Sequence, residues 1–230
     1  MTPPLVRNPR ARSPLVPRLW PFRNIGRFLL LACVALAGTP VIAQTPAPVL
    51  LVVGDSISAG YGLAIGEGWV DLLAMRLAKD RHRERVVNAS ISGDTTAGGR
   101  ARLPALLRAH HPSIVVIELG GNDALRGGNL DASRANLDAM VKAVQSAGAT
   151  PLVLGMKVPP NYGALYSRRF EAMFGDVAKA RHVPVVPYLF AGFGDDLAQF
   201  QPDRYHPDAA AQARILDNVW PALAPLLSRR

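Results

Sequence analysis

Cysteine is almost absent from this chain of 230 residues. The single one, Cys33, lies in a short apolar run near the N-terminus. A chain with no thiol beyond this run has no disulfide, no cysteine-ligated metal and no cysteine nucleophile in its folded part. We expect the protein to use neither a metal nor another cofactor.

Acidic residues are absent from the first 48 residues, which contain six arginines. The arginines precede an apolar run at 28–37, which is too short to cross a membrane but fits the apolar region, about 7 to 15 residues long, of a secretory signal peptide. Val41 and Ala43 then provide small residues at the two positions that a signal peptidase recognises. We predict that residues 1–43 are a signal peptide cleaved after Ala43, and that the mature protein is periplasmic or secreted without a stable membrane anchor. A retained anchor is the alternative.

The basic charge of the chain comes mostly from this leader. Removing residues 1–43 takes away six of the 26 basic residues and none of the 17 acidic ones, so the formal net charge falls from +9 to +3. A weakly basic mature chain gives little reason to expect an anionic partner, and we expect no nucleic acid partner. Residues 44–230 suit a single domain with one core. No pattern marks an interface, so we expect a monomer.

Five short, mostly apolar runs alternate with segments of helical spacing. The runs lie at 49–53, 86–89, 114–119, 151–154 and 183–186. Continuous apolar runs of this length are typical of strands buried on both faces, and their alternation with helices predicts right-handed crossovers. We therefore expect an α/β fold, a three-layer α/β/α domain with a five-stranded parallel sheet, whose last helix begins at about Pro207.

Residues whose side chains or N–H groups could take part in catalysis follow three of these strands. Ser56, Gly93 and Asn122 come after the first, second and third strands, and Asp203 and His206 lie in the loop before the last helix. In parallel sheets, ligands bind beyond the carboxyl ends of the strands. We expect all five residues to meet at that edge.

The five residue types suit acyl transfer. A serine hydroxyl needs a neighbouring base, and the spacing of Asp203 and His206 lets the carboxylate bind one ring nitrogen while the other faces Ser56. The N–H groups of Ser56 and Gly93 and the amide of Asn122 can stabilise an oxyanion. Taken singly, each residue has an ordinary explanation as a helix cap or a turn residue. Their joint occurrence favours a catalytic site.

Other readings of the chain are weaker. Glu118 is a rival carboxylate in an apolar strand, which we interpret as structural and, if buried, hydrogen-bonded or neutral. The glycines at 60–66 suggest a nucleotide-binding module, but the last one is a position late for the dinucleotide fingerprint. Ser58 replaces the second glycine of a Gly-x-Ser-x-Gly elbow, which argues against an α/β-hydrolase fold. A protein that only binds would leave the triad unexplained.

With these residues the chain resembles the SGNH (GDSL-type) hydrolase family, in particular its thioesterase, lysophospholipase and arylesterase members. The resemblance covers nearly all of residues 49 to 226. Its most specific stretches are 54–61, 88–95, 118–127 and 159–163. One departure is Ile57, where the family motif has leucine, and this apolar exchange should not affect the chemistry.

The resemblance implies a flavodoxin-like sheet in the order 2-1-3-4-5 and a complete site. Ser56 is the implied nucleophile, Asp203 and His206 complete the triad, and Gly93 and Asn122 join Ser56 in the oxyanion hole. The loop at 124–129 is implied to cover the acyl chain and the loop at 159–163 to form the opposite wall. The predicted substrate-binding residues are Asp55, Leu125, Val158 and Tyr162.

The implied activity is hydrolysis of small acyl esters and thioesters through an acyl-enzyme on the serine. A carbohydrate O-acetylesterase of the same fold is the alternative.

Overall fold

The structure is a computed structural model that describes residues 46–227, apart from the side chain of Pro160. The predicted signal peptide, residues 1–43, lies outside the described residues. Between residues 46 and 227, no helix combines the length and the apolar character that crossing a membrane requires.

Five parallel strands form one sheet. The strands are β1 (Val49–Gly54), β2 (Arg85–Asn88), β3 (Ile114–Glu118), β4 (Thr150–Leu154) and β5 (Val185–Val186). Their order is β2-β1-β3-β4-β5, and every pairing is parallel. The predicted α/β fold and strand order are confirmed. β1 and β3 are buried along their whole length, as expected from their unbroken apolar runs.

Helices cover both faces of the sheet. They are α1 (Ser56–Ala59), α2 (Trp69–Lys79), α3 (Thr96–His110), α4 (Gly121–Leu125), α5 (Leu130–Ser146), α6 (Ala164–Arg181) and α7 (Gln212–Leu223). α2 packs against α7, whereas α5 packs against α3 and α6. The largest fully buried side chains include Trp69 on α2 and Phe170 and Phe174 on α6.

The last helix begins at Gln212, five residues after the predicted start. Pro207 pairs instead with Phe200 in an isolated antiparallel bridge. The carboxylate of Asp208 then accepts a hydrogen bond of 2.9 Å from the N–H of Ala211 and closes a turn. These local bonds use backbone groups that an earlier helix would need.

The register of the sheet positions the site. Gly54, the last residue of β1, lies opposite Glu118, the last residue of β3. Both strands therefore deliver their following loops to the same edge. A Cβ on Gly54 would lie 2.7 Å from the Glu118 carboxylate, so glycine is required for this close approach.

We predict opposite effects of alanine at two glycines. A Cβ on Gly155, at the end of β4, would lie 2.3 Å from the carbonyl oxygen of Pro187, whereas a Cβ on Gly175, inside α6, meets nothing within 4 Å. Gly155→Ala should lower the free energy of unfolding by about 2 kcal/mol or more, because backbone must move. Gly175→Ala should raise it by about 0.5 to 1 kcal/mol through helix propensity. Urea unfolding measures both, and equal effects would contradict the packing at Gly155.

Candidate active site

A sharp turn at the end of β1 presents Ser56. Asp55 caps α1, because its Oδ1 accepts a 3.0 Å hydrogen bond from the N–H of Ile57. The helix ends after one turn at Gly60, whose φ of 74° is in the left-handed region. Ser56 is the first residue of α1 and is partly exposed, so its hydroxyl is accessible from the cleft described below.

Three side chains form a continuous hydrogen-bonded chain. His206 Nε2 lies 2.9 Å from Ser56 Oγ, and His206 Nδ1 lies 2.7 Å from Asp203 Oδ2. The other oxygen of Asp203 accepts hydrogen bonds from the N–H groups of Tyr205 and His206, at 2.9 and 3.0 Å. The structure thus brings together the three residues that the sequence predicts as a triad.

The environment keeps Asp203 ionised. Partial burial raises the pKa of this carboxyl, but the two N–H groups and the imidazole of His206 together lower it below its ordinary value. An ionised carboxylate only accepts hydrogen bonds, so Nδ1 of His206 carries its proton and Nε2 is free to accept one from Ser56.

Contacts with the α1–α2 loop hold the loop that carries His206 in place. Gln201 donates from its backbone to the His206 carbonyl at 2.8 Å and from its side chain to the Tyr61 carbonyl at 2.7 Å. The Tyr61 ring lies against the His206 ring, with centroids 4.6 Å apart. A loop anchored in this way can keep the imidazole aligned on Ser56.

Two residues that line the cleft have backbone N–H groups without an acceptor among the described residues. Gly93 has a φ of 80° and is the third residue of a turn that the N–H of Asp94 closes on the carbonyl of Ile91 at 3.0 Å. Within residues 46–227, no hydrogen-bond acceptor pairs with the N–H of Gly93 or of Ser56, and both residues line the cleft. Unpaired N–H groups at one cleft are what a developing oxyanion needs.

The third predicted donor, Asn122, is already engaged. Its Nδ2 donates to Asp55 Oδ2 and to the carbonyl oxygen of Asp94, both at 3.0 Å. The amide is therefore fixed beside the cleft, and a hydrogen bond to an oxyanion would have to share or replace one of these two.

A cleft of about 310 Å³ opens in front of Ser56. Three predicted substrate-binding residues, Asp55, Leu125 and Val158, line it. Tyr162 does not line it, and instead donates from its hydroxyl to the Leu125 carbonyl at 3.0 Å. Several other residues line the cleft that the sequence did not lead us to predict, among them Tyr61, Met156, Phe190 and Tyr205. Tyr61 and Tyr205 lie within or beside recognised motifs, whereas nothing in the local sequence marks Met156 or Phe190.

Comparisons with known proteins agree with this geometry. Residues 52–214 match the GDSL-like lipase/acylhydrolase family. Esterase TesA of Pseudomonas aeruginosa is 50% identical over 199 residues, which are 86% of this chain and 98% of that protein. The chain belongs to the GDSL-like lipase/acylhydrolase family. The predicted membership is confirmed.

Two further members of the GDSL family extend the comparison. Thioesterase 1/protease 1/lysophospholipase L1 of Escherichia coli K12 is 40% identical over 209 residues, which are 90% of this chain and 97% of that protein. A crystal structure of TesA superposes with a TM-score of 0.76 at 52% identity, and the match covers 78% of this chain and 99% of that chain.

Two buried carboxyls lie close to Ser56 in this GDSL-family protein. Burial raises the pKa of Asp55 to about 6, although the Ile57 N–H, the charge of His206 and the Asn122 amide each lower it. Glu118 is fully buried, and burial, reinforced by the charge of Asp55, raises its pKa well above the ordinary value.

The contacts of Glu118 fit a neutral group. Its Oε2 accepts from the Ser58 hydroxyl at 2.8 Å and from the Asp55 N–H at 3.3 Å. Its Oε1 has no hydrogen-bond partner in the part of the chain that the structure describes. An ionised Glu118 would bury a negative charge with one of its two oxygens lacking a hydrogen bond, which is unfavourable in free energy. We therefore assign Glu118 as the protonated member of the pair and a structural residue.

The raised pKa of Asp55 predicts a pH-dependent stability. A carboxyl whose pKa rises on folding contributes stability that is complete below about pH 4 and is lost as the pH rises through about 6. Between these values the free energy of unfolding of the wild type should fall, relative to Asp55→Asn, by up to about 3 kcal/mol. Urea unfolding at a series of pH values measures this difference.

A constant offset between the two proteins, with parallel curves, would show that Asp55 does not titrate in this window. The titration of Asp203 does not interfere with this measurement. Its lowered pKa has the opposite sign, so its contribution is lost only as the pH falls below about 4.

Proposed function

We propose that this protein is a serine hydrolase that cleaves acyl esters and thioesters through an acyl-enzyme on Ser56. One observation carries the proposal: the hydrogen-bonded chain from Asp203 through His206 to Ser56 ends at a cleft lined by Ser56 and Gly93, whose backbone N–H groups have no acceptor among the described residues. The names of the relatives, an esterase and a thioesterase/lysophospholipase, support this reaction class.

The first half of the reaction forms the acyl-enzyme. His206 Nε2 takes the hydroxyl proton as Ser56 Oγ attacks the carbonyl carbon of the substrate. The resulting imidazolium is stabilised by the ionised Asp203, which stays deprotonated. His206 then gives the proton to the leaving oxygen or sulfur, and the C–O or C–S bond breaks.

The carbonyl oxygen becomes negatively charged in the tetrahedral intermediate. The N–H groups of Ser56 and Gly93 donate to it, and Asn122 contributes by sharing its amide hydrogens with Asp55 or Asp94. Each fixed donor of this kind contributes about 3 kcal/mol in the transition state.

In the second half of the reaction, water attacks the acyl-enzyme and His206 takes a proton from that water. His206 then returns the proton to Ser56, and the carboxylic acid leaves.

The cleft suits the acyl part of the substrate. Apolar side chains dominate the wall of the cleft, among them Met156, Val158 and Phe190, all of which are buried. A cleft of this size is at the small end of the range for ligand sites. We propose that the acyl chain lies against this wall, and that Tyr162 supports the loop through Leu125 and does not touch the substrate.

Ser56→Ala should reduce turnover of p-nitrophenyl butyrate by at least about 10⁴-fold, because the nucleophile is lost while the fold is kept. A fluorophosphonate ester should label the wild type once, at Ser56, as peptide mass spectrometry can show. Ser146→Ala, an exposed change at the end of α5, is the matched control and should keep the wild-type rate. A Ser56→Ala protein with a rate near that of the wild type would refute the proposal.

We also propose that the protein is exported and that residues 1–43 are removed. The arginines, the apolar run and the small residues Val41 and Ala43 support this proposal. Expression of the whole chain in a Gram-negative host should yield a protein that begins at Gln44. Ala43→Arg should accumulate as a longer precursor, because signal peptidase needs a small residue there. Intact-mass measurement of both proteins decides, and an uncleaved wild type would rule the proposal out.

A further inference from the structure

Arg102, on α3, lies behind the candidate site and reaches the loops around it. Its guanidinium binds three groups: Nε donates to Asp94 Oδ2 at 2.7 Å, Nη2 donates to the Gly54 carbonyl at 3.3 Å, and Nη1 donates to the Ala89 carbonyl. The side chains of Arg102 and Asp94 are only 19% and 11% exposed, so water screens this ion pair weakly. A charge held this way is built into the fold and differs from a surface arginine.

The three partners belong to the segments that carry the oxyanion donors. Gly54 is two residues before Ser56. Ala89 and Asp94 lie on either side of the turn that presents the N–H of Gly93. One planar group therefore connects the end of β1 to both ends of this turn.

The same group reaches the third donor through Asp94. The carbonyl of Asp94 accepts from the Asn122 amide at 3.0 Å, while its carboxylate accepts from Arg102 and from the N–H of Thr95 at 2.9 Å. A Cβ on Gly98 would lie 1.9 Å from Asp94 Oδ1, so the carboxylate fits against α3 only because residue 98 is glycine. Asp94 is thus fixed at both its side chain and its carbonyl.

We propose that Arg102 is the positioning residue of the oxyanion hole, which sets the relative placement of the Ser56, Gly93 and Asn122 donors. The inference rests on the proposed acyl-transfer function. Arg102 touches neither Ser56 nor the cleft, so it acts through the groups that it holds. A guanidinium suits this position because it offers five N–H donors in a fixed plane, whereas the ammonium of lysine is a single charged centre.

This role makes a specific kinetic prediction. Oxyanion donors act on charge that exists only in the transition state, so their misplacement lowers kcat and leaves KM almost unchanged. Arg102→Met should lower kcat for p-nitrophenyl butyrate about 30- to 300-fold, since displacements near 1 Å cost about 10²-fold, with KM within about threefold of the wild type. Arg102→Lys should lower kcat about tenfold.

Arg100→Met is the matched control. Arg100 is on the same helix but is exposed, and it donates to Asn136, away from the site. Its kcat should stay within about twofold of the wild type. Ser56→Ala is measured alongside, because an active Ser56→Ala would defeat the proposed function itself, whereas a fully active Arg102→Met beside an inactive Ser56→Ala would defeat only this inference.

Chemical rescue separates positioning from general stability. Guanidinium ion, added at low millimolar concentration to Arg102→Ala, should raise kcat at least fivefold by occupying the vacated site, and should not affect Arg102→Met, whose side chain fills it. Guanidinium weakens folding in general, so a gain cannot come from a stabilised protein. An Arg102→Met kcat near that of the wild type, a loss expressed in KM, or no rescue of Arg102→Ala would overturn the inference.

If Arg102→Met or Arg102→Ala does not fold, two milder changes test the same contact. Asp94→Asn keeps the size of its side chain but removes the charge that Arg102 binds, so kcat should fall at unchanged KM. Combined with Arg102→Lys, its effect should be less than additive, because both changes weaken one interaction. Additive effects would overturn the inference.

Discussion

The pairing of β1 with β3 is the interaction on which the rest of the site depends. It sets Gly54 opposite Glu118 at the point where both strands end. The close approach of the two strand ends buries Glu118 completely and brings Asp55 above it. Ser56 then begins a one-turn helix that Asp55 caps, and the Asn122 amide reaches Asp55 from the neighbouring strand end. A shift of one residue in this pairing would break each of these contacts.

Three carboxyls close to one serine have three different environments. Asp203 is partly exposed and surrounded by N–H donors, so its pKa is lowered. Asp55 is buried but hydrogen-bonded, and its pKa rises to about 6, whereas Glu118 is buried with one oxygen unpaired, and burial raises its pKa well above the ordinary value. The environment separates the protonation states, as is common where several acids share a site. At neutral pH it leaves Asp203 and most of Asp55 ionised and Glu118 protonated.

The sequence was sufficient where a signal is local. Short, mostly apolar runs predicted the five strands, and the three-residue spacing predicted that the Asp203 carboxylate would meet the His206 ring. The short helix α1 was not predicted, because four residues are too few to show helical periodicity. Arg102 was missed for a different reason: its partner carbonyls are 13 and 48 residues away in the chain. Such contacts depend on the packing of α3 against the sheet, which no spacing in the sequence reveals.

In the proposed reaction, fixed polar groups contact the reacting carbonyl, whereas adaptable apolar groups contact the acyl chain. The reacting carbonyl would meet donors that turns, strand ends and the guanidinium of Arg102 hold in place, so its position is tightly defined. The acyl chain would meet only apolar side chains, and each methylene buried there contributes about 0.8 kcal/mol. Contacts of that kind discriminate weakly between chains that differ by one carbon. The leaving atom needs only a proton from His206, which either an alkoxide or a thiolate can accept. This division favours graded selectivity for chain length and tolerance of both esters and thioesters.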